Sequence, residues 1–134
     1  MSEASMWDAI RPVLKQGGLD PVRVENPVWP GTPDVNYTGG WVELKWCERW
    51  PPRGGPLRID HFTVQQRTWL TQRRHAGGQA FLLLKVGETE WLLFDGAVAA
   101  AMLGRVPRER LYEVCVARWT RLPRTKEICT CLLQ

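Results

Sequence analysis

The sequence has few histidines, no Cys-x-x-Cys pair and no long apolar run. It contains only two histidines, His61 and His75, and its four cysteines include no Cys-x-x-Cys pair. We therefore expect no zinc site, and we expect the cysteines to be reduced thiols. No apolar run approaches about 18 residues, so no membrane span is predicted. No signal peptide is recognised either, and a cytoplasmic location is expected, in the host cell if a phage encodes the chain.

Lysine is also scarce, and arginine supplies most of the positive charge. Of the 18 basic residues only Lys15, Lys45, Lys85 and Lys126 are lysines. The net charge is +4 and the isoelectric point is about 9.1, which is compatible with nucleic-acid binding without proving it. Arginine suits phosphate contacts, but GC-rich coding produces the same excess. The length of 134 residues fits a single domain, residues 1–134.

Hydrophobic periodicity and turn residues predict a mixed α and β domain. We expect helices at 3–16, 63–76, 96–103 and 124–133. We expect strands at 21–26, 33–38, 41–47, 80–87, 90–96 and 111–117. Residues 48–61, rich in proline, glycine and arginine, are expected to form an exposed loop.

One segment, TPDVNYTGGWVELKW at residues 32–46, gathers polar side chains on one face of a predicted hairpin. With Gly39-Gly40 as a two-residue turn, Asn36 lies opposite Glu43 and Asp34 lies opposite Lys45. Opposite residues share a face. The polar face then carries Asp34, Asn36, Glu43 and Lys45, and the apolar face carries Val35, Tyr37, Val42, Leu44 and Trp46. Asp34 and Glu43 become diagonal neighbours, with Cβ atoms roughly 7 Å apart.

Two carboxylates at that separation suit one hard cation between them. Magnesium prefers carboxylate and water oxygens at about 2.0–2.1 Å. Lys45, on the same face, could orient or deprotonate a water molecule or neutralise charge at a phosphate. The alternative is a solvated polar face with a Glu43–Lys45 surface pair of little energetic value.

These residues resemble the motif of the PD-(D/E)xK nuclease superfamily, here Pro33-Asp34 followed by Glu43-Leu44-Lys45. The glycine loop WPGTPDV and the later segment FTVQQRTWLTQRRHAGGQAFLLLKV look like the VRR-NUC and archaeal Holliday-junction-resolvase branch, in a phage-type version. In that branch a helix bearing a glutamine follows the motif strand, then a Gly-Gly pair, then an apolar strand. The resemblance covers residues 3 to 95.

The resemblance implies an α/β (α+β) fold with a restriction-endonuclease-like αβββαβ core. Its mixed central sheet would be flanked by helices and followed by C-terminal additions. Asp34 and Glu43 would be metal ligands, the backbone carbonyl of Leu44 a third ligand, and Lys45 the catalytic lysine. The cofactor would be one or two Mg²⁺ ions, with Mn²⁺ as a substitute.

The superfamily also has an acidic residue near the N-terminus, and three candidates are open here: Glu3, Asp8 and Glu25. Glu3 and Asp8 could instead be ordinary solvated helix charges. If Val22 and Val24 point into the core, Glu25 points toward the face of Asp34, and this alternation favours Glu25.

Gln66 is a further candidate, because the resemblance places it near the catalytic lysine. Its alternative role is structural, since Thr63-x-x-Gln66 matches a capping box at a helix start.

Five arginines are candidates for DNA phosphate contacts: Arg49, Arg53 and Arg58 on the loop, and Arg67 and Arg74 on the second helix. A scattered basic surface is the alternative. Trp50 on the same loop could stack on a base, or it could be buried beneath the loop.

The expected function is that of a metal-dependent DNA endonuclease that hydrolyses phosphodiester bonds and selects branched DNA such as Holliday junctions or flaps. A homodimer is expected, because a junction offers two symmetric scissile bonds. The alternative is a nuclease fold without catalysis that binds DNA or a protein partner, for example an inhibitor of host defence.

Overall fold

A six-stranded sheet forms the centre of the protein, whose computed structural model describes residues 2–134. The strands lie side by side in chain order, and only β3 and β4 are parallel neighbours; all other neighbours are antiparallel. Their bounds are β1 Val22–Arg23, β2 Val35–Tyr37, β3 Gly40–Cys47, β4 Gln79–Val86, β5 Glu90–Asp95 and β6 Ala117–Trp119.

Five helices cover the two faces of this sheet. They are α1 Glu3–Gln16, α2 Val64–His75, α3 Gly96–Met102, α4 Arg108–Val114 and α5 Thr125–Leu132. One apolar cluster joins α1 and α5 to one face of the sheet. A second cluster joins α2, α3 and α4 to the other face. The predicted fold class, a mixed sheet flanked by helices, is confirmed.

The central strands are apolar on both sides because helices cover both faces. In β4, Phe81 and Leu83 belong to the cluster beneath α1, while Leu82 and Leu84 belong to the cluster beneath α2. A strand buried in this way carries a nearly continuous apolar run, as AFLLLKV does.

The predicted helix starts and stops are largely confirmed. Helix α1 spans 3–16 as expected, and the Ser2 hydroxyl caps it by accepting a hydrogen bond from the Ser5 amide at 3.2 Å. Pro12 lies inside this helix, at an exposed position. None of the helices within residues 2–134 is long and apolar enough to cross a membrane.

The register of the hairpin corrects one prediction. Val35 pairs with Val42 and Tyr37 pairs with Gly40, so the two-residue turn is Thr38-Gly39 and not Gly39-Gly40. Gly39 takes a left-handed φ of +105° in this turn. The shift moves every pairing by two residues, and a shift of two leaves each side chain on its predicted face.

The segment at 111–117 corrects another prediction. It was expected to be a strand, but residues 108–114 form helix α4 and only Ala117–Trp119 pairs with β5. Leu111 of this helix is fully buried in the cluster beneath α2, and its neighbour Tyr112 hydrogen-bonds to Glu90. These tertiary contacts override the β-propensity of the valines in the segment.

Candidate active site

Asp34 occupies the point where the loop before β2 joins the sheet. Its backbone carbonyl accepts a hydrogen bond from the Val24 amide at 2.8 Å, which extends the β1–β2 ladder by one residue. Its carboxylate oxygen Oδ2 accepts a hydrogen bond from the Leu44 amide, also at 2.8 Å. Extending the observed register by one residue places Asp34 directly opposite Glu43 rather than diagonal to it.

A glycine fixes the approach of this loop to helix α2. Gly31 has a φ of +90°, and a Cβ at this position would lie 2.4 Å from the backbone oxygen of Gln65. No other residue fits without displacing backbone, so the loop that carries Asp34 is held against the first turn of α2.

Glu43 and Lys45 lie on the face of β3 that α2 covers, and both are almost completely buried. Lys45 Nζ is 3.1 Å from Glu43 Oε2, with side-chain exposures of 4% and 1%. The Phe62 ring borders the ammonium group, with its centroid 6.0 Å away. The alternative of a solvated surface pair is therefore wrong, because the pair is buried beside Asp34.

The carboxylate of Glu43 has few polar neighbours. Within residues 2–134 neither oxygen meets the geometry of a hydrogen bond, and the Lys45 ammonium lies 3.1 Å from Oε2 as an ion pair. Burial, followed by the negative charge of Asp34, raises the pKa of Glu43 to about 8, and the nearby Lys45 lowers it only in part. A buried acid of this kind gains from any added positive charge.

The backbone polar groups of Leu44 face the side of β3 on which Asp34 lies. In a strand, the N–H and C=O groups of one residue point to the same edge. Because the Leu44 N–H points to Asp34, its carbonyl also faces the edge beyond the end of β2, while its side chain lies in the core beneath α1.

These groups fit a divalent cation. Two adjacent carboxylates and a backbone carbonyl are hard oxygen ligands, and magnesium commonly uses one or two protein carboxylates with the remaining positions left to water and phosphate. Within residues 2–134 no group of three or more histidine, cysteine, aspartate or glutamate side chains is placed to hold a metal ion. Asp34 and Glu43 supply the two carboxylates of this arrangement.

The structure separates the three candidates for the N-terminal acid. Glu3 lies 3.8 Å from His61 Nε2, and after burial it is the main cause that raises the pKa of Cys47 to about 11. Cys47 follows Lys45 by two residues on β3, so Glu3 lies near the carboxyl end of that strand. Asp8 is exposed on α1.

The strand orientation that favoured Glu25 is not observed. Arg23 pairs with Val35, and Val22 pairs with Asn36, so Val22 shares the face of Asn36, and Arg23 shares the apolar face. This is the reverse of the orientation on which the choice rested. Glu25 itself is exposed in the loop after β1.

Gln66 forms the capping box at the start of α2. Its Oε1 accepts a hydrogen bond from the Thr63 amide at 2.9 Å, and the Gln66 amide donates to Thr63 Oγ1 at 3.2 Å. The side-chain Nε2 makes no hydrogen bond within the described chain. The structural role of Gln66 is thus confirmed, and its catalytic role stays a prediction.

The five candidate arginines divide into two groups. Arg49, Arg53 and Arg58 are exposed on the loop between β3 and α2. Arg67 instead donates to the carbonyls of Ala100 and Leu103, each at 2.8 Å, at the end of α3.

Arg74 is likewise engaged within the fold. It pairs with Asp95 and donates to the Gln79 side chain at 2.7 Å. Arg67 and Arg74 therefore support the packing of α3. The loop arginines are exposed, and Arg58 forms a surface ion pair with Asp60 at 3.9 Å.

A cluster around Glu90 was not expected from the sequence. The Trp50 indole donates to Glu90 Oε1 at 2.7 Å, Arg118 Nε donates to Oε2 at 2.7 Å, and the Tyr112 hydroxyl donates to Oε2. Trp50 is therefore half-buried beneath its loop, as the alternative had it. No local pattern signals this cluster, because its members come from four separate segments.

Comparison with known proteins supports the fold. The sequence matches none of the protein-family models and none of the curated proteins with which it was compared. The structure is similar to that of Hjc, a Holliday junction resolvase from the archaeal hyperthermophile Archaeoglobus fulgidus, with a TM-score of 0.52 and 22% identity. The match covers 91% of this chain and 97% of that chain. The chain thus has a fold similar to that of this resolvase structure.

Proposed function

We propose that this protein is a divalent-metal-dependent DNA endonuclease that cuts branched DNA. The observation that carries the proposal is the buried Glu43 carboxylate, which lies beside the Asp34 carboxylate and has the Lys45 ammonium 3.1 Å from Oε2. Burying two adjacent acids costs stability, so a cation that binds between them would explain the arrangement.

Each residue has a distinct part in the proposed reaction. Asp34, Glu43 and the Leu44 carbonyl would hold Mg²⁺ or Mn²⁺, and Glu3, which lies near His61 and Cys47, would be the N-terminal acid. The ion supplies positive charge that stabilises the phosphate as negative charge develops on it. Lys45 would orient the attacking water or supply charge at the phosphate. One P–O bond forms to the water oxygen, and one ester P–O bond breaks.

The exposed loop arginines support DNA as the substrate. Arg49, Arg53 and Arg58 can contact phosphates without reading base sequence. Hjc acts on Holliday junctions, and we propose the same class of branched substrate for this chain, bound by a homodimer with one site for each of two strands.

Cleavage assays test the reaction. Labelled four-way junctions, flaps and linear duplexes of equal length are incubated with Mg²⁺, Mn²⁺ or EDTA, and light scattering counts subunits. We expect metal-dependent cleavage, with branched DNA preferred. A protein that binds these DNAs with no cleavage in either metal would instead be a non-catalytic nuclease fold, the second hypothesis of the sequence analysis.

Salt dependence tests the arginine assignment. Each lost phosphate contact reduces the slope of log K against log salt by about 1. We expect Arg58→Ala to reduce the slope by that amount with the melting temperature unchanged. Arg67→Ala is the matched control: it removes two hydrogen bonds to α3 and should lower the melting temperature with the slope unchanged.

A further inference from the structure

Three tryptophans from three different elements border one cleft beside the candidate active site. Trp29 lies on the loop before β2, Trp41 on β3 and Trp69 on α2. The cleft has a volume of about 390 Å³, within the range of about 300–1,000 Å³ common for small-ligand sites. Its polar lining comes from Asn26, Thr32, Gln72 and Arg73.

The aromatic walls carry an uncompensated cation. The Trp41 and Trp69 rings meet edge to face, with centroids 5.3 Å apart. The Arg73 guanidinium lies 4.5 Å from the Trp69 centroid and 6.0 Å from that of Trp41. No carboxylate within residues 2–134 forms an ion pair with Arg73, so the cleft offers indole surfaces together with a positive charge that has no acidic partner.

Trp29 is held in place although its side chain is 68% exposed. The Asn26 side chain accepts hydrogen bonds from the backbone amides of Val28 and Trp29, both at 3.1 Å. Thr32 donates to the Trp29 carbonyl through its hydroxyl at 2.8 Å. An exposed indole on a turn built in this way contributes little to the core, which points to a contact outside the chain.

The cleft adjoins the carboxylates. Trp41 precedes Glu43 by two residues on the same face of β3, a separation of about 7 Å along the strand. Thr32 precedes Asp34 by two residues in the loop that Gly31 holds against α2. A DNA strand whose phosphate lies at Asp34 and Glu43 therefore has its next nucleotide within reach of the cleft.

We propose that the cleft receives an unpaired nucleobase of the strand to be cut, an inference that rests on the proposed function. Indole faces stack on any base, so binding tolerates sequence and requires only that the base is unstacked. Arg73 suits the negative charge of the attached phosphate, and the side-chain NH2 of Asn26 and the amide of Gln72 suit base edges. Branch points supply such bases, and uninterrupted duplexes do not.

Binding measured in EDTA tests this proposal without cleavage. The probes are a duplex with an internal stretch of unpaired bases and a fully paired duplex of equal length. We expect Trp29→Ala to weaken binding of the first probe by about 5- to 100-fold, with the second unchanged. Val28→Ala is the matched control, because Val28 is 74% exposed on the same turn and does not line the cleft. It should change neither affinity.

A fluorescent base gives a second measurement on the unaltered protein. 2-Aminopurine at the unpaired position should be quenched by wild-type protein and by Trp29→Phe, and quenched less by Trp29→Ala. Equal affinities for Trp29→Ala and Val28→Ala on the unpaired probe, or no quenching by wild type, would overturn the proposal. The proposal would also be overturned if Trp29→Ala changed the mass measured by light scattering but did not weaken binding to the unpaired probe. That result would assign the cleft to contact between two copies of the chain.

The two proposals fail separately. Base-dependent binding with no metal-dependent cleavage would remove the nuclease function and leave the cleft as a base-binding site. If Trp29→Ala cleaves junctions at the wild-type rate and its affinity for the unpaired probe is unchanged, the base-binding role of the cleft is wrong and the nuclease function stands.

Discussion

Two buried glutamates, Glu43 on β3 and Glu90 on β5, have opposite surroundings. Burial raises the pKa of Glu90, but hydrogen bonds from Tyr112, Trp50 and Arg118 outweigh this effect and hold its pKa below the usual value. Glu43 is buried more deeply and lies beside a second acid, and the nearby Lys45 offsets these effects only in part, so its pKa rises to about 8.

The difference separates a structural acid from a candidate functional one. The fold satisfies Glu90 and thereby joins the loop after β3 to α4 and β6. The same fold leaves Glu43 unsatisfied at a position where Asp34 and the Leu44 carbonyl converge. Unsatisfied buried polar groups are rare in folded proteins, and they concentrate where a ligand completes the site.

The strongest test of this contrast removes each acid in turn. We expect Asp34→Asn and Glu43→Gln to abolish cleavage while the fold is retained, because an amide is a poor ligand for Mg²⁺ where a carboxylate is needed. Glu90→Gln should keep cleavage below its melting temperature but lose about 1.5–3 kcal/mol of unfolding free energy, since it loses charge-assisted hydrogen bonds. Junction cleavage and denaturant melts measure the two effects. Normal cleavage by Glu43→Gln would eliminate this site.

Lys45 provides the next test, because it is the positive charge nearest to Glu43. Lys45→Ala should reduce the cleavage rate by about 10²–10⁴-fold, the range typical for a group that assists proton transfer. Metal binding, measured by calorimetry with Mn²⁺, should persist. Lys45→Arg should restore the rate only in part, because guanidinium remains protonated and presents a different hydrogen-bond geometry. Full activity in the arginine variant would limit Lys45 to a charge role.

The pH dependence of stability should have opposite signs for the two acids. The pKa of Glu43 is raised from 4.5 in the unfolded chain to about 8, so its contribution is present below about pH 4.5 and is lost as pH rises to about 8. The loss in EDTA should be on the order of a few kcal/mol. Glu90, with a lowered pKa, contributes above its unfolded value and loses that contribution as pH falls.

Thermal melts in EDTA between pH 4 and pH 9 measure both effects. Glu43→Gln should flatten the alkaline side of the profile, and Glu90→Gln should flatten the acid side. Adding Mg²⁺ at pH 8 should raise the melting temperature of the wild-type protein. It should not change the melting temperature of Glu43→Gln. An alkaline slope that survives in Glu43→Gln would show that another group causes it.

The smallest effect concerns Gln66, whose side chain has one satisfied and one free polar atom. Loss of the capping box in Gln66→Ala or in Thr63→Ala should cost about 0.5–2 kcal/mol. Gln66→Glu keeps an oxygen for the Thr63 amide but removes the Nε2 donor. If that donor acts in catalysis, Gln66→Glu should lose cleavage while its melting temperature is maintained. If Gln66→Glu and the wild-type protein have equal turnover, the role of Gln66 is limited to capping helix α2.

Local sequence pattern predicted the parts of the site that lie on one hairpin. Strand alternation placed Asp34, Glu43 and Lys45 on one face, because a side-chain period of two survives an even shift in register. The register itself was wrong. Gly40 belongs to β3, where a Cβ would lie 2.6 Å from the Tyr37 hydroxyl, so Gly40 is required by close packing and not by the turn.

Features that depend on distant segments were not predictable. The sequence predicted a basic helix face from Arg67 and Arg74. Their partners instead lie on and beside α3, and those of Arg67 are about thirty residues further along the chain. The cluster around Glu90 and the cleft of three tryptophans also join separate segments. The position of Trp41 beside the carboxylates was predictable, since strand alternation already placed it on the face of Glu43.

The two edges of the sheet have a consequence for assembly. Strand β1 has two residues and β6 has three, and Pro21 and Pro123 lie close to them. Neither edge presents a row of unpaired backbone groups long enough to template a strand from another molecule, so the chain is protected against aggregation by strand addition. Any contact between two copies, such as the proposed homodimer, would then use helices, loops and side chains, and surface substitutions would alter it without disturbing either hydrogen-bond ladder.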